Sequence, residues 1–327
     1  MPTVKHLAAL AALLLCPLTQ AQSPSAPLPA KTPLTSIGIS VSDLGNPYFV
    51  EIARGAERRA RELGGDGVRV QVVSSAYDLA RQIRQIDHFI EAGVQMILLS
   101  AADREGIAPA VARARKAGIP VIAVDVEAAG ADVTITTDNR AAGTLACDYL
   151  ARRMDGHGKV VIINGPAVSS VIERVEGCHE ALAGFAGIEL LSDTANGGGA
   201  REGGLEKMTA LMTAYPDIQG VFTINDPSAL GAEQAAHQAG RNNFFIVSID
   251  GSPAAFEQLR EQDSLLEASA AQFPGRIAER AVETGLQLMH GEPVDPRRIL
   301  IAPELITRDN VGEYQSWNAP GENMVPN

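Results

Sequence analysis

Two pairs of polar residues follow short apolar segments at the same spacing. Ser100 and Asp125 lie 25 positions apart, and so do Asn225 and Asp250. Each residue comes directly after a strand-like apolar segment, and helix-like sequence separates the two members of each pair. In open parallel α/β sheets, small ligands bind at the carboxyl ends of the strands. The repeated spacing therefore predicts two similar lobes, each of which presents one polar pair at its strand ends.

The remaining sequence predicts elements that position these pairs. Strands and helices alternate along the chain, and this pattern is typical of parallel sheets with helices on both faces. The order of segments assigns residues 35–137 and 273–303 to a first lobe, and 138–272 and 304–316 to a second. The chain then crosses between the lobes near residues 136–138, 272–273 and 303–304. We expect an α/β protein with two doubly wound parallel-sheet lobes, a three-segment hinge and a loose tail at 317–327.

The N-terminal sequence predicts export. Residues 1–21 read as a signal peptide, with a basic start at Lys5, an apolar run over 7–18 and small residues before a cleavage site between Ala21 and Gln22. The apolar run of about 12 residues is shorter than the ~20 that a membrane helix needs. Residues 22–34 are rich in Pro, Ser and Ala and indicate a flexible tether. We therefore expect a periplasmic protein.

Charge and cysteine content limit the kinds of molecule and metal that the protein is expected to bind. The formal net charge is −12, and loss of residues 1–21 would make it −13, which disfavours binding to nucleic acid or to anionic membranes. Cys147 and Cys178 could pair in an oxidising compartment, but their apolar neighbours favour two buried thiols. The sequence has no Cys-x-x-Cys spacing, and the glycine run at 197–199 lacks the Lys-Ser/Thr of a phosphate-binding loop. We expect neither a metal nor a cofactor.

Several short motifs together carry a family resemblance. They are GNPYF at 45–49, VIAVD at 121–125, TDN at 137–139, ERVEG at 173–177, VFTIND at 221–226, ALG at 229–231, SIDG at 248–251 and AQFP at 271–274. No single motif is specific, but their order and spacing are. Over about residues 35–310 the chain resembles the periplasmic substrate-binding proteins of sugar ABC transporters, of the ribose-binding type. This resemblance implies the type I periplasmic binding protein fold, in which two lobes close on a monosaccharide.

The resemblance also implies a set of ligand-binding residues. Carried over by position, the first lobe contributes Asn46, Ser100 and Asp125, with Tyr48 and Phe49 as an aromatic wall; the second lobe contributes Arg174, Asn225 and Asp250, and the hinge contributes Gln272. These residue types suit a sugar. Carboxylates accept hydroxyl hydrogens, amides both donate and accept, and a guanidinium donates in a fork. Aromatic rings cover the C–H face of a sugar ring.

Three positions depart from the ribose-type pattern. Val126 stands where that pattern has Arg, Ser100 stands where it has Asn, and residues 197–199 are glycines where it has an aromatic residue facing the sugar. The pocket would therefore lack a guanidinium donor, an amide and an aromatic ring that stacks on the sugar. Gly199 is the last residue of the glycine run. These losses favour a larger or differently substituted sugar, or a polyol, over ribose.

The sequence thus predicts a monomeric binding protein that hands a sugar or polyol to the membrane permease of an ABC transporter. One alternative keeps the binding role but delivers the signal to a chemoreceptor or sensor kinase. A second is an exported glycoside-acting enzyme that uses Asp125 and Asp250 as an acid–base pair. A transcription regulator of the lactose-repressor type would need an N-terminal helix-turn-helix, and the sequence has a signal peptide and a Pro-rich tether there.

Overall fold

The computed structural model describes residues 32–317. Its strands are β1 Ser36–Val41, β2 Arg69–Ser74, β3 Met96–Leu99, β4 Val121–Val124, β5 Val133–Thr137, β6 His157–Asn164, β7 Gly187–Asn196, β8 Gly220–Thr223, β9 Phe245–Asp250, β10 Leu266–Ala271, β11 Arg298–Ile301 and β12 Glu304–Thr307. Its helices are α1 Pro47–Gly64, α2 Leu79–Glu91, α3 Ala108–Lys116, α4 Asn139–Arg153, α5 Ser169–Ala183, α6 Arg201–Ala214, α7 Asp226–Gln238, α8 Pro253–Arg260 and α9 Pro274–Met289. The predicted signal peptide, most of the tether and the tail beyond residue 317 lie outside the described residues.

Two six-stranded sheets form two α/β lobes, as the sequence predicts. The first sheet has the order β11-β5-β4-β3-β1-β2 and is parallel throughout. The second has the order β12-β10-β9-β8-β6-β7, in which only the edge strand β12 runs antiparallel. The chain passes between the sheets after β5, after β10 and between β11 and β12.

The strand β12 was not predicted. The sequence suggests a single last strand over residues 298–302 that Pro303 interrupts, whereas the chain continues as a strand on both sides of that proline. Proline lacks an N–H, and it holds the residue before it in an extended conformation. Pro303 therefore lies where the chain leaves the edge of one sheet, beside β5, and joins the edge of the other, beside β10.

Each sheet is covered on both faces by helices and apolar side chains. In the first lobe α1 and α9 cover one face and α2 and α3 the other. In the second lobe α6 and α7 cover one face and α4 and α5 the other. The central strands β1, β3, β4 and β8 are buried along their whole length, which is why they read as continuous apolar segments, whereas the edge strands are partly exposed. Within residues 32–317, no helix is both long and apolar enough to cross a bilayer.

Helices α4 and α5 contact each other through their backbones and are joined by a disulfide. A Cβ atom at Gly143 would collide with the carbonyl oxygen of Arg174, and one at Gly177 with that of Arg140. This close approach brings the Cα atoms of Cys147 and Cys178 to 5.0 Å, and their sulfurs are bonded. The structure therefore has the paired alternative and not the two free thiols that the apolar neighbours favour. The burial of both cysteines was correctly inferred, but the glycine contacts that align them depend on the packing of two helices.

Candidate functional site

A cavity lies between the lobes at the carboxyl ends of both sheets. About 450 Å³ of space lies between its atoms, part of it open to solvent. The residues that line it come from both lobes and from the hinge. Eight of the nine predicted ligand-binding residues are among them: Asn46, Tyr48, Phe49, Asp125, Arg174, Asn225, Asp250 and Gln272.

Ser100 is the predicted residue that does not line this cavity. It is fully buried, and its hydroxyl lies 2.9 Å from the hydroxyl of Ser42. Ser42 directly follows β1 and lines the cavity itself. The Ser100 side chain is too short to extend past Ser42, whereas a longer amide at the same position would reach further. Ser100 thus supports a lining residue from behind.

The carboxylate of Asp125 is the main acceptor that the first lobe presents. Asp125 follows β4 with φ of 67°, in the left-handed region that non-glycine residues seldom adopt. Burial raises its pKa to about 6, against the lowering effects of the positive charge of Arg174 and of the Tyr48 hydroxyl. A strained backbone and a poorly solvated carboxylate at one position are typical of a functional site.

Asp250 takes the equivalent place in the second lobe. It ends β9 with φ of 134°, also outside the usual range for a residue with a Cβ atom. Its carboxylate accepts a hydrogen bond from Gln272 Nε2 at 2.7 Å and a long one from the Asp226 backbone N–H at 3.3 Å. Burial and the nearby negative charge of Asp226 raise the pKa of Asp250, and the positive charge of Arg174 lowers it. Both members of the repeat thus present a strained, buried carboxylate to one cavity.

Hydrogen bonds and one ion pair form a ring that connects Asp250 to the hinge. Arg174 Nη1 lies 3.8 Å from Asp250 Oδ1, and Arg174 Nε donates to Asn139 Oδ1 at 2.9 Å. Asn139 Nδ2 donates to the carbonyl of Thr137, and the Thr137 hydroxyl donates to Gln272 Oε1 at 2.7 Å. Gln272 completes the ring through its bond to Asp250. The guanidinium is therefore held by protein groups, and its position depends on two crossing segments of the hinge.

The aromatic wall forms, and Trp317 packs against it. Tyr48 and Phe49, in the first turn of α1, line the cavity, and Tyr48 packs edge-on against Trp317. Trp317 is only 8% exposed, and its Nε1 donates to the backbone carbonyl of Asp250 at 2.9 Å. The expected loose tail therefore does not begin at Trp317. The Tyr48 hydroxyl is buried and makes no hydrogen bond of ordinary geometry to any described residue, although it lies close enough to Asp125 to influence its pKa.

Several residues that line the cavity were not predicted from the sequence. Two of them, Ser42 and Tyr77, lie just past the carboxyl ends of β1 and β2. The strand-end rule that identifies Asp125 and Asp250 would have found both. The apolar lining residues Pro166, Val168, Val171 and Ile224 carried no comparable signal.

The lobes also touch along one side of the cavity. The backbone N–H of Glu127 in the first lobe donates to the Ser169 hydroxyl in the second at 2.9 Å. Arg298, in β11, bridges Glu127 and Glu173. Val168 packs against the apolar cores of both lobes. These contacts hold the lobes together beside the cavity.

The hydrogen-bonding groups that line the cavity suit a neutral solute with several hydroxyl groups. Two carboxylates and the side-chain oxygens accept hydrogen bonds, while the amides and the guanidinium donate, so neighbouring hydroxyls could be bound in pairs. Across residues 32–317, no cluster of three or more His, Cys, Asp or Glu side chains is arranged to hold a metal ion.

Comparison with known proteins gives consistent matches over this part of the chain. Residues 37–293 match the family model described as a periplasmic binding protein domain. The ribose import binding protein of Escherichia coli is 34% identical over 265 residues, which cover 80% of this chain and 87% of that protein. The xylitol-binding protein of Mycolicibacterium smegmatis is 30% identical, with coverage of 84% and 78%. A solute-binding protein of Actinobacillus succinogenes, solved with bound D-allose, has a TM-score of 0.79 and 26% identity, and the match covers 86% of this chain and all of that one.

Proposed function

The chain belongs to the periplasmic binding protein family, and on that premise we propose that it captures a monosaccharide or polyol between its lobes and delivers it to the membrane permease of an ABC transporter. The carrying observation is that Asp125 and Asp250, from opposite lobes, face one buried cavity. A solute that bonds both carboxylates stabilises the arrangement in which the lobes are together, because only contacts that differ between two states shift their equilibrium.

We assign the ligand contacts to the eight predicted residues that line the cavity, with Ser42 as an addition. Hydroxyls of the solute donate to Asp125 and Asp250, and an oxygen of the solute accepts from the unpaired Tyr48 hydroxyl. Ser100 contributes by holding Ser42. A site that pairs every buried hydroxyl rejects analogues that leave a protein group unpaired, at roughly 1–3 kcal/mol for each such group.

The same proposal includes export and a monomeric state. The leader at residues 1–21 would direct the chain to the periplasm and be removed after Ala21. A hinged clamp works as a monomer. The permease would contact the outer rims of both lobes. The alternative partner is a chemoreceptor or sensor kinase, and co-purification of the loaded protein with either membrane protein distinguishes the two.

A thermal-shift screen of the exported protein tests the function. Pentoses, hexoses, deoxysugars, furanoses and polyols are added singly. A ligand at 100 times its Kd adds about 2.7 kcal/mol to stability, and at this chain length that corresponds to a shift of several degrees. We expect a clear shift with one class of compound. Asp125→Ala and Asp250→Ala should abolish it, while the same change at exposed Asp66 should not. A flat screen would overturn the proposal.

The enzyme alternative makes a different prediction. If Asp125 and Asp250 acted as an acid–base pair, an aryl glycoside would be hydrolysed, and Asp250→Asn would stop its turnover. We expect the glycoside to be recovered intact.

A further inference from the structure

A second cavity adjoins the first at the mouth of the cleft. We call it the vestibule. It contains about 1300 Å³ of space between atoms, part of it open to solvent. Four residues line both cavities: Asn46, Tyr77, Gly199 and Asp250. A solute held by the inner carboxylates would reach the vestibule past these four residues.

The walls of the vestibule are mostly small and apolar. They include Pro47 from the first lobe and Gly198, Ala200, Pro227, Leu230 and Ala254 from the second. Three charged lining residues, Asp43, Arg201 and Glu202, are each half-buried or exposed, and the fourth is the buried Asp250 that the two cavities share. Such a surface has few groups that could bond sugar hydroxyls, but it offers area that an apolar group would cover.

Two glycines of the run lie at the boundary between the two cavities. Gly198 and Gly199 have φ of 66° and 70°, which residues with a Cβ atom rarely adopt. A Cβ at Gly199 would lie 3.3 Å from Asn225 Nδ2, an atom that already donates to the Gly199 carbonyl. This loop therefore presents backbone where an aromatic side chain would close the inner cavity. Tyr77, on the first lobe, supplies the aromatic surface at the passage and is 38% exposed.

We propose that the solute is a polyhydroxylated ring that carries an apolar substituent. The ring binds in the inner cavity, and the substituent lies in the vestibule against Tyr77. An O-alkyl or O-aryl derivative of a sugar or cyclic polyol has this chemistry. The proposal rests on the proposed function, because the inner cavity must first bind the ring. The lobes already touch at Glu127 and Ser169, and the vestibule has open space with those contacts made, although the larger Tyr77 and Trp317 also line it.

Titration calorimetry of the exported protein tests this. The probes are D-glucose, D-galactose and myo-inositol, each beside its O-methyl derivatives and, for the two sugars, both anomers of the phenyl glycoside. We expect at least one derivative to bind more tightly than its parent, by about three- to five-fold for a methyl group and about ten-fold or more for a phenyl ring. Recovery of the intact glycoside after titration excludes hydrolysis as the source of heat.

Variants locate the gain in affinity. Ala254 is exposed at the second position of α8 and is not part of the inner cavity. We expect Ala254→Phe to occupy part of the vestibule and to reduce the gain, while the parent compound keeps its affinity within two-fold. The matched control Ala210→Phe, at an exposed alanine of α6 that lines neither cavity, should leave the gain intact. Leu230→Gln, which makes the vestibule wall polar with little change in size, should reduce it.

The outcomes separate the two proposals. Two results would overturn the proposed substituent-binding role of the vestibule and leave the binding function standing. In the first, a parent sugar or polyol binds and no derivative binds more tightly; in the second, Ala254→Phe leaves the gain in affinity unchanged. If neither the parents, the derivatives nor the wider sugar and polyol panel binds, the proposed function itself is wrong.

Discussion

At the scale of single residues, the two cavity aspartates are held in states that are unfavourable without a ligand. Both have backbone conformations that typically cost about 1–3 kcal/mol each, and both are buried with few hydrogen bonds to their carboxylates. A folded protein keeps such residues only where the surrounding structure over-determines them. A solute whose hydroxyls donate to these carboxylates would relieve the poor solvation but not the backbone strain.

The raised pKa of Asp125 predicts a specific dependence of stability on pH. Because the folded-state pKa is about 6 against an ordinary 3.8, ionisation of Asp125 disfavours folding. This cost is absent below pH 4, grows between pH 4 and 6, and is then constant at about 3 kcal/mol. We expect Asp125→Asn to match the ligand-free wild type in urea unfolding at pH 4 and to be more stable at pH 7.5. Asparagine tolerates the left-handed backbone, so the substitution introduces no new strain.

The matched control is Asp66→Asn, at an exposed aspartate on the same lobe. Its difference from the wild type should not grow between the two pH values. An Asp125→Asn difference of equal size at both pH values would contradict the assignment of a raised pKa to this residue.

Much of the site could be predicted from residue types at strand ends. Asp125, Asn225 and Asp250 follow apolar strands, and their positions depend on local sequence and on the common edge of a parallel sheet. Ser100 satisfies the same rule yet lies behind Ser42, because depth in the cleft depends on side-chain length and on the neighbouring strand. The hydrogen bond between Arg174 and Asn139 joins two helices, and no spacing along the chain predicts it.

At the scale of elements, α4 and α5 form the unit that positions the guanidinium. Gly143 and Gly177 allow the two helices to touch, and the disulfide between Cys147, one turn after Gly143, and Cys178, directly after Gly177, fixes their spacing. Arg174 and Asn139, one on each helix, then meet at 2.9 Å. The sequence predicts both helices, but it does not predict how closely they pack, and for that reason it left the state of the cysteines open.

Removal of the disulfide should weaken folding measurably. Cross-links that close loops of this order typically contribute about 2–4 kcal/mol. We expect the double variant Cys147→Ala/Cys178→Ala to lose roughly that amount in urea unfolding. As a control, the wild type and the double variant are each unfolded with and without dithiothreitol. The reductant should destabilise the wild type and leave the variant unchanged. Alkylation of two thiols in the denatured, unreduced wild type would contradict the disulfide.

At the scale of the whole molecule, the sequence predicts the architecture well because alternation of strand and helix constrains a parallel sheet strongly. The edge strand β12 was not predicted, because Pro303 indicates the end of a strand and the sequence does not show that the chain passes there from one sheet to the other. The lobe contact made by Arg298 and Glu173 joins residues 125 positions apart, and it depends on how the two finished lobes meet.

Arg298 offers a test of that contact. It bridges two glutamates, one on each lobe, and it is about 42% exposed, so solvent screens the pairs and limits their contribution to about 0.2–1 kcal/mol. We expect Arg298→Ala to weaken solute binding by up to about five-fold in titration calorimetry, with little change in unfolding of the ligand-free protein. Arg58→Ala is the control, because Arg58 pairs with Glu279 inside the first lobe. Equal affinity of the two variants would show that the Arg298 bridge plays no part in closure.

The position of Trp317 has a practical consequence for observing the molecule at work. It is the one tryptophan in the sequence. Its ring packs on Tyr48 of the first lobe, while its N–H is bonded to the backbone of Asp250 in the second. Rotation of one lobe against the other must change the polarity around that indole. The protein therefore contains an intrinsic fluorophore between its two lobes. The wavelength and intensity of its emission can report closure of the lobes in real time without a label.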